Sequence, residues 1–432
     1  MSMSEGLKAA RALAPEADRH AELRLSLLSA AIYSFVGVQL PFFSIWLASR
    51  GLDASAIAAV LAVPPVVRIG STLIASRRAD RLGDHGALLV ACAFAVAAAY
   101  AVMGLVDGFA AILVAVATLA FFQGPILPLA DGITFGEARR RRENGLPQLH
   151  YSWVRGWGSV SILAFLAASG PIVGRLASED IIWLLTGVAA FAALASLGSL
   201  IGLRGRGAAP KKRLVSTPIA RPALVMLVIA AATLIQCSHS LVNAFGALHW
   251  KAQGHSETFV SFAWVAALVT EVAVFLTAGR WFGGGTKAAS FLIAGGIGAV
   301  LRWALMATDP GPVGIFLAQA LHGLSCAAVQ LGPAYLLARL GGKDRLSQSQ
   351  AWLAAAVAGG SSLAMFLSGP FYASVGERGY VAMAALAGAG LVLATLVGRL
   401  SAEERGFSQC EASPLDSFSR SRENAAPRSG VG

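Results

Sequence analysis

Twelve apolar stretches follow one another along this chain, at about residues 25–49, 56–76, 86–106, 109–132, 149–173, 181–203, 222–246, 258–279, 288–308, 312–338, 348–372 and 379–398. Most are close to the roughly 20 residues a helix needs to cross hydrocarbon. Charge is confined almost entirely to the segments between them. Of 34 Lys and Arg, only Arg68, Arg155 and Arg302 fall inside a stretch; of 23 Asp and Glu, only Glu271 sits deep in one, with Asp131 near the end of another. A charge at the bilayer centre costs at least ~2.5–3.5 kcal/mol, so these exceptions are the first candidates for function. The 13% charged residues contrast with about 25% in soluble domains, and the sequence predicts an all-α integral membrane protein.

The segments between stretches alternate in charge. One set, including Arg77, Arg78 and Arg81, the run Arg139–Arg142, and Arg204–Arg221, holds 18 basic residues; the opposite set holds 4, namely Arg50, Arg175, Lys251 and Arg378. Basic segments stay cytoplasmic, which predicts twelve crossings with both termini inside, in a bacterial inner membrane. The net charge of +11 is thereby topogenic, and no nucleic-acid partner is needed to explain it. The Arg139–Arg142 run reads as a solvated loop.

The chain also repeats. Trp153 and Ser169-Gly170-Pro171 recur as Trp352 and Ser368-Gly369-Pro370, both offset by 199 residues. Arg68 lies 17 residues after Gly51, and Glu271 lies 17 after Gly254. These matches predict two pseudo-symmetric six-helix halves, an architecture of carriers that rock around a central site. The divisions are a cytoplasmic tail at 1–24 without a cleavable signal pattern, a bundle at 25–203, a central loop at 204–221, a bundle at 222–400 and a disordered tail at 401–432.

Each buried charge admits a functional and a structural reading. Nothing in its own span neutralises Glu271, so it is suited to taking and releasing a proton; the alternative is a static pair with Arg68 or Arg302. Arg155, between Trp153 and Trp157, and Arg302, beside Trp303, present planar forks to a carboxylate; Arg155 is shallow enough to snorkel instead. Arg68, after Pro64-Pro65, divides evenly between site and ion pair. Gln236, His239 and Asn243 are spaced to share one helix face, which lines a wet cavity or binds a neighbouring helix. His322 is a packing residue or a proton carrier, and Asp131 is interfacial or substrate-facing.

The segment Arg77-Arg78-Ala79-Asp80-Arg81-Leu82-Gly83 resembles the loop signature of the major facilitator superfamily, retaining its Asp, Arg and final Gly as Asp80, Arg81 and Gly83 but not its leading Gly. Pro128-Leu129-Ala130-Asp131, Val154-Arg155-Gly156-Trp157-Gly158, Glu271, Leu301-Arg302-Trp303 and Leu321-His322-Gly323 resemble the branch of phenylpropionate, oligosaccharide and nucleoside proton symporters. That resemblance implies the major facilitator fold and solute uptake coupled to protons. It further implies Arg155 for substrate, and Glu271, Arg302 and His322 for substrate or proton. One departure matters: where the lactose-permease pattern keeps a carboxylate three residues after the His, this chain has Ser325. The proton carrier then falls among Glu271, Asp131, Glu137 and His322.

No nucleotide-binding Gly-Lys-Ser/Thr loop and no metal-ligand spacing is present, so the sequence predicts neither an enzyme nor a cofactor or metal. It predicts a monomeric carrier whose partners are lipid, protons and a small solute. Substrate is assigned to Arg155, Arg302, Trp157, Trp303, His239 and Asn243, and proton coupling to Glu271, His322 and Asp131. Structural roles go to Arg68, Asp80 and Arg81. An aromatic carboxylate is the favoured solute and a sugar or nucleoside the next. A proton-coupled exporter and a non-transporting sensor or scaffold stay open.

Overall fold

The computed structural model describes residues 20–201, 221–281, 288–340 and 342–411. The expectations for residues 1–19, 202–220 and 412–432 lie outside these. The described residues form helices and turns, with no strand. In chain order the α-helices are α1 (Ala21–Ser49), α2 (Ala54–Leu82), α3 (His85–Leu105), α4 (Phe109–Gln123), α5 (Ile126–Glu143), α6 (Tyr151–Val173) and α7 (Ile181–Leu200). Then come α8 (Pro222–Cys237), α9 (Ala247–Ala252), α10 (Glu257–Trp281), α11 (Ala288–Met306), α12 (Pro312–Ala320), α13 (Val329–Leu340), α14 (Gly342–Val375) and α15 (Gly379–Glu411). Eleven helical stretches among the described residues are long and apolar enough to cross a membrane. The last, Gln348–Ser401, contains 54 residues and takes in most of α14, a short 3-10 turn at Gly376–Arg378 and most of α15.

Three features depart from the sequence reading. The run Arg139–Arg142 is not a loop: it forms the last turn of α5, where cations favour the helix C-terminus. Residues 401–411, assigned to a disordered tail, continue α15, because Ala, Glu and Arg sustain a helix. Two crossings are interrupted by π turns, at Val242–Gly246 between α8 and α9 and at Gly323–Ala328 between α12 and α13. A π turn advances the following side chains by about one residue, or about 100°, around the axis. A strict 3.6-residue reading therefore misplaces faces there.

The end of α2 shows local chemistry at work. Gly83 adopts φ +67°, a left-handed conformation that glycine takes without a Cβ penalty, and stops α2. Asp84 then caps α3 by accepting from Ala87 N at 2.9 Å. This two-residue turn sets α2 and α3 antiparallel, with Arg81 exposed in the last turn of α2. Asp80 is part of that turn's backbone, and its side chain lies outside the description.

Helix α1 packs on α6 and α7, α3 on α7, α8 on α15, and α11 on α15. Helices before residue 201 meet those after 221 mainly through α2 against α14 and α6 against α10. Both contacts use the repeated Ser-Gly-Pro. A Cβ on Gly170 would stand 2.7 Å from the Glu257 carbonyl and collide with Ser261; one on Gly369 would stand 2.6 Å from Ala58 Cβ and 2.7 Å from the Ala54 carbonyl. The helices thus touch backbone to backbone at the end that carries Arg50, Lys251 and the other sparse basic residues. This end is closed.

Candidate functional site

Beneath the closed end, between α1, α2, the α4–α5 break and the Asn243 turn, lies a cavity of about 350 Å³. That is within the range of small-molecule sites. Its walls are mostly apolar, including Phe35, Phe43, Pro64 and Met365, and its polar side chains are Arg68, Gln39, Ser44, Gln123 and Asn243. Arg68 stands at the middle of α2, fourteen residues from either end and so about 21 Å from both. Its guanidinium donates to Gln123 Oε1, and Gln123 Nε2 donates to Gln39 Oε1 at 3.0 Å. Among the described residues no carboxylate reaches Arg68, and its Nε has no partner. A half-buried cation whose side-chain partner is the neutral amide of Gln123, facing a cavity, keeps its charge available to an anion.

A second polar cluster fills the interior between α8, α10, α11 and the α12–α13 crossing. Arg302 is fully buried. Its Nη1 lies 2.7 Å from His322 Nδ1 and 3.3 Å from Ser325 Oγ, and its Nη2 donates to Gln319 Oε1. A guanidinium only donates, so His322 Nδ1 accepts and the neutral ring carries its proton on Nε2. That atom faces Glu271 Oε2 at 3.4 Å. Gln330 Nε2 donates to Glu271 Oε1 at 3.1 Å. His239 Nδ1 donates to the Ile235 carbonyl at 3.1 Å, which leaves Nε2 to accept from Ser325 Oγ at 3.1 Å. Trp303 Nε1 donates to Ser238 at 2.8 Å, and Arg302 stacks on the Trp303 ring. Possible ligand atoms of Glu271, His322 and Cys326 lie within 4.8 Å of one another. The single lone pair of the neutral His322 ring is taken by Arg302.

The third cluster lies toward the basic end. The Arg155 guanidinium carbon stands 4.2 Å from the Tyr33 ring centroid. Tyr151 donates to Asp131 at 3.0 Å and stacks on Phe135. Glu137 is buried and holds Arg140 at 2.8 Å and Arg141 at 3.1 Å, so its charge is neutralised within α5.

The residues selected from sequence therefore separate. Of the six assigned to substrate, Asn243 lines the cavity. Arg302 and Trp303 are buried in the second cluster, Arg155 is on Tyr33, and Trp157 is exposed away from the cavity. His239 and Asn243 lie one helical turn apart, Asn243 N donating to the His239 carbonyl at 3.1 Å, and they meet different surroundings: His239 bonds Ser325, whereas Asn243 lines the cavity. Glu271 and His322 meet as one unit, but Asp131 lies apart from them. Arg68, read as either a site residue or a structural ion pair, has no ion pair among the described residues. Gln39, Gln123, Gln319 and Gln330 escaped the sequence reading, which followed formal charge. The signal was present, since a glutamine amide inside an apolar stretch also demands a partner.

Residues 23–380 match the MFS_1 like family. The chain is 28% identical over 357 residues, 81% of its own length and 91% of the relative's, to the probable 3-phenylpropionic acid transporter of Escherichia coli (strain K12). The crystal structure of the nucleoside transporter NupG superposes with a TM-score of 0.74 at 17% identity, covering 88% of this chain and 98% of that one. A peptide transporter POT in complex with sulfate gives 0.70 at 12% identity, covering 89% and 94%. These two likenesses show a shared fold. With its apolar helices and this family match, the chain belongs to the MFS_1 like family: it is a multi-pass membrane transporter of the major facilitator type, and not an enzyme.

Proposed function

We propose that this transporter imports a small organic anion together with a proton across a bacterial inner membrane, with an aromatic carboxylate of the 3-phenylpropionate kind as its favoured substrate. The observation that carries the reading is Arg68: a cation at mid-membrane, without a carboxylate partner among the described residues, on the wall of a cavity that also presents Phe35 and Phe43. A carboxylate takes two parallel hydrogen bonds from a guanidinium, and the aromatic walls suit a phenyl ring. The relative's name points to the same class of solute. Arg68 thereby takes the anchoring role that the sequence gave to Arg155 and Arg302.

The proton rides on Glu271 and His322. From there, hydrogen bonds run through Arg302, Ser325 and His239 into the crossing that bears Asn243, on the cavity wall. Protonation of Glu271 releases Nε2 of His322 and loosens this chain, and substrate on Arg68 and Asn243 responds at the other end. The halves, residues 25–203 and 222–400, then rock about the cavity. Twelve crossings are supported by the Gln348–Ser401 stretch: its 54 residues reach about 80 Å, far beyond one ~30 Å hydrocarbon layer. The 18-to-4 asymmetry of basic residues supports cytoplasmic termini.

A nucleoside or sugar is the second reading, favoured by the amides of Gln39, Gln123 and Asn243, which suit hydroxyl groups. Uptake into proteoliposomes separates the two. An inward proton gradient is expected to drive accumulation of labelled 3-phenylpropionate and not of uridine or lactose. Gradient-driven uridine uptake without 3-phenylpropionate uptake would transfer the assignment to the second reading.

A further inference from the structure

A larger hollow than the central cavity lies on the outside of the bundle. It is a groove of about 650 Å³ between α1, α6 and α7, independent of the Arg68 site. Its walls are apolar, with Leu23, Leu27, Phe165 and Phe191 among them, and Gly198 leaves open space at its edge. Leu23, Leu27 and Phe191 are exposed there, which in a membrane protein means exposed to lipid. From His20 to Ala31 the groove follows α1 for eleven residues, about 16 Å. One leaflet of the hydrocarbon core is about 15 Å deep. The groove therefore has the length of one acyl layer and starts at the basic end of the bundle.

Its mouth is cationic. Arg24 lines it and is held there by a hydrogen bond to the Ile201 carbonyl at the end of α7, and exposed His20 stands beside it. Among the described residues no carboxylate pairs with Arg24. Glu22 is two positions away, about 200° around the helix, and faces His150 at 4.0 Å. Among the described residues the remaining donors of Arg24 meet no acceptor and can reach a phosphate oxygen, while the apolar trough below suits the attached chain.

We infer that this groove is a binding site for an anionic phospholipid, whose phosphate is held by Arg24 and whose acyl chain lies along Leu27, Phe165 and Phe191. Gly198→Leu tests it directly, because Gly198 lines the groove and a Cβ there meets nothing within 4 Å. Gly187 is equally open and outside the groove, so Gly187→Leu serves as control. The full chain is to be examined by native mass spectrometry from nanodiscs containing equal phosphatidylglycerol and phosphatidylcholine. The expected result is one retained lipid, with about a five-fold preference for phosphatidylglycerol, the contribution of one cation near an anionic headgroup. Arg24→Gln is expected to lose the preference, Gly198→Leu to lose the retained lipid, and Gly187→Leu to keep both. Retention by Gly198→Leu equal to wild type, equal retention of the two lipids, or no retained lipid because other residues of the chain fill the groove would each overturn the assignment.

Discussion

Arg302 fixes the tautomer of His322. The guanidinium donates to Nδ1 at 2.7 Å, so the ring proton sits on Nε2 and is directed at Glu271, 3.4 Å away. A carboxylate and an imidazole joined by one hydrogen, with a permanent cation behind the imidazole, form a unit whose geometry changes when the carboxylate is protonated.

It follows that Glu271→Gln separates coupling from transport. The amide keeps the shape of the side chain but takes no proton. Accumulation of substrate against its gradient is expected to fall to the level of protein-free liposomes, whereas counterflow exchange at constant pH stays within about two-fold of wild type, as expected for an interaction made only in the coupled step. Accumulation at wild-type level would remove Glu271 from the mechanism.

Much of this arrangement is visible in the sequence, and the limits have physical causes. Confinement of charge to the segments between apolar stretches predicts the helices. The 199-residue offset of Ser-Gly-Pro, read as a sign of two equivalent halves, falls at two helix contacts, made by Gly170 and Gly369. Glu271 and His322 stand out because charge in hydrocarbon is rare. What the sequence conceals is lateral position. Arg68 and Arg302 look alike as buried arginines, but one faces a cavity and the other a packed interior, a difference set by helix packing. The π turns at Val242–Gly246 and Gly323–Ala328 leave no periodic trace in the sequence, so the faces presented beyond them are not legible from a 3.6-residue period.

The closed end depends on two glycines. Replacing Gly170 or Gly369 by isoleucine forces side-chain atoms into the space of Ser261 or Ala58. Overpacking costs about 1–3 kcal/mol, enough to shift a two-state equilibrium by about five- to hundred-fold. Spin labels at Ser55 and Ser374 are expected to show a longer distance population in Gly369→Ile. Gly388→Ala, where a Cβ meets nothing, is the control expected to leave it unchanged. Identical distributions in all three proteins would mean that these contacts do not hold the end closed.

Glu137 has a stabilising role. With Arg141 only 6% exposed, Glu137→Gln leaves a buried cation without its carboxylate. Removing one partner of such a pair costs on the order of 3 kcal/mol. Thermal unfolding in detergent is expected at a clearly lower temperature, with substrate affinity retained in the folded fraction. An unchanged melting temperature accompanied by lost affinity would instead place Glu137 in the transport site.

The central claim is that Arg68 anchors an organic anion, and equilibrium binding of 3-phenylpropionate to the purified transporter measures it most directly. Hydrogen bonds to a charged group contribute about 1.5–3 kcal/mol, so Arg68→Gln is expected to weaken binding by about ten- to hundred-fold. Arg68→Lys, which keeps the charge and loses the fork, is expected to fall between that variant and wild type. Arg155→Gln is expected to bind within about three-fold of wild type, its guanidinium being committed to Tyr33 and outside the cavity. Full affinity in Arg68→Gln, with loss of binding in Arg155→Gln, would contradict the account.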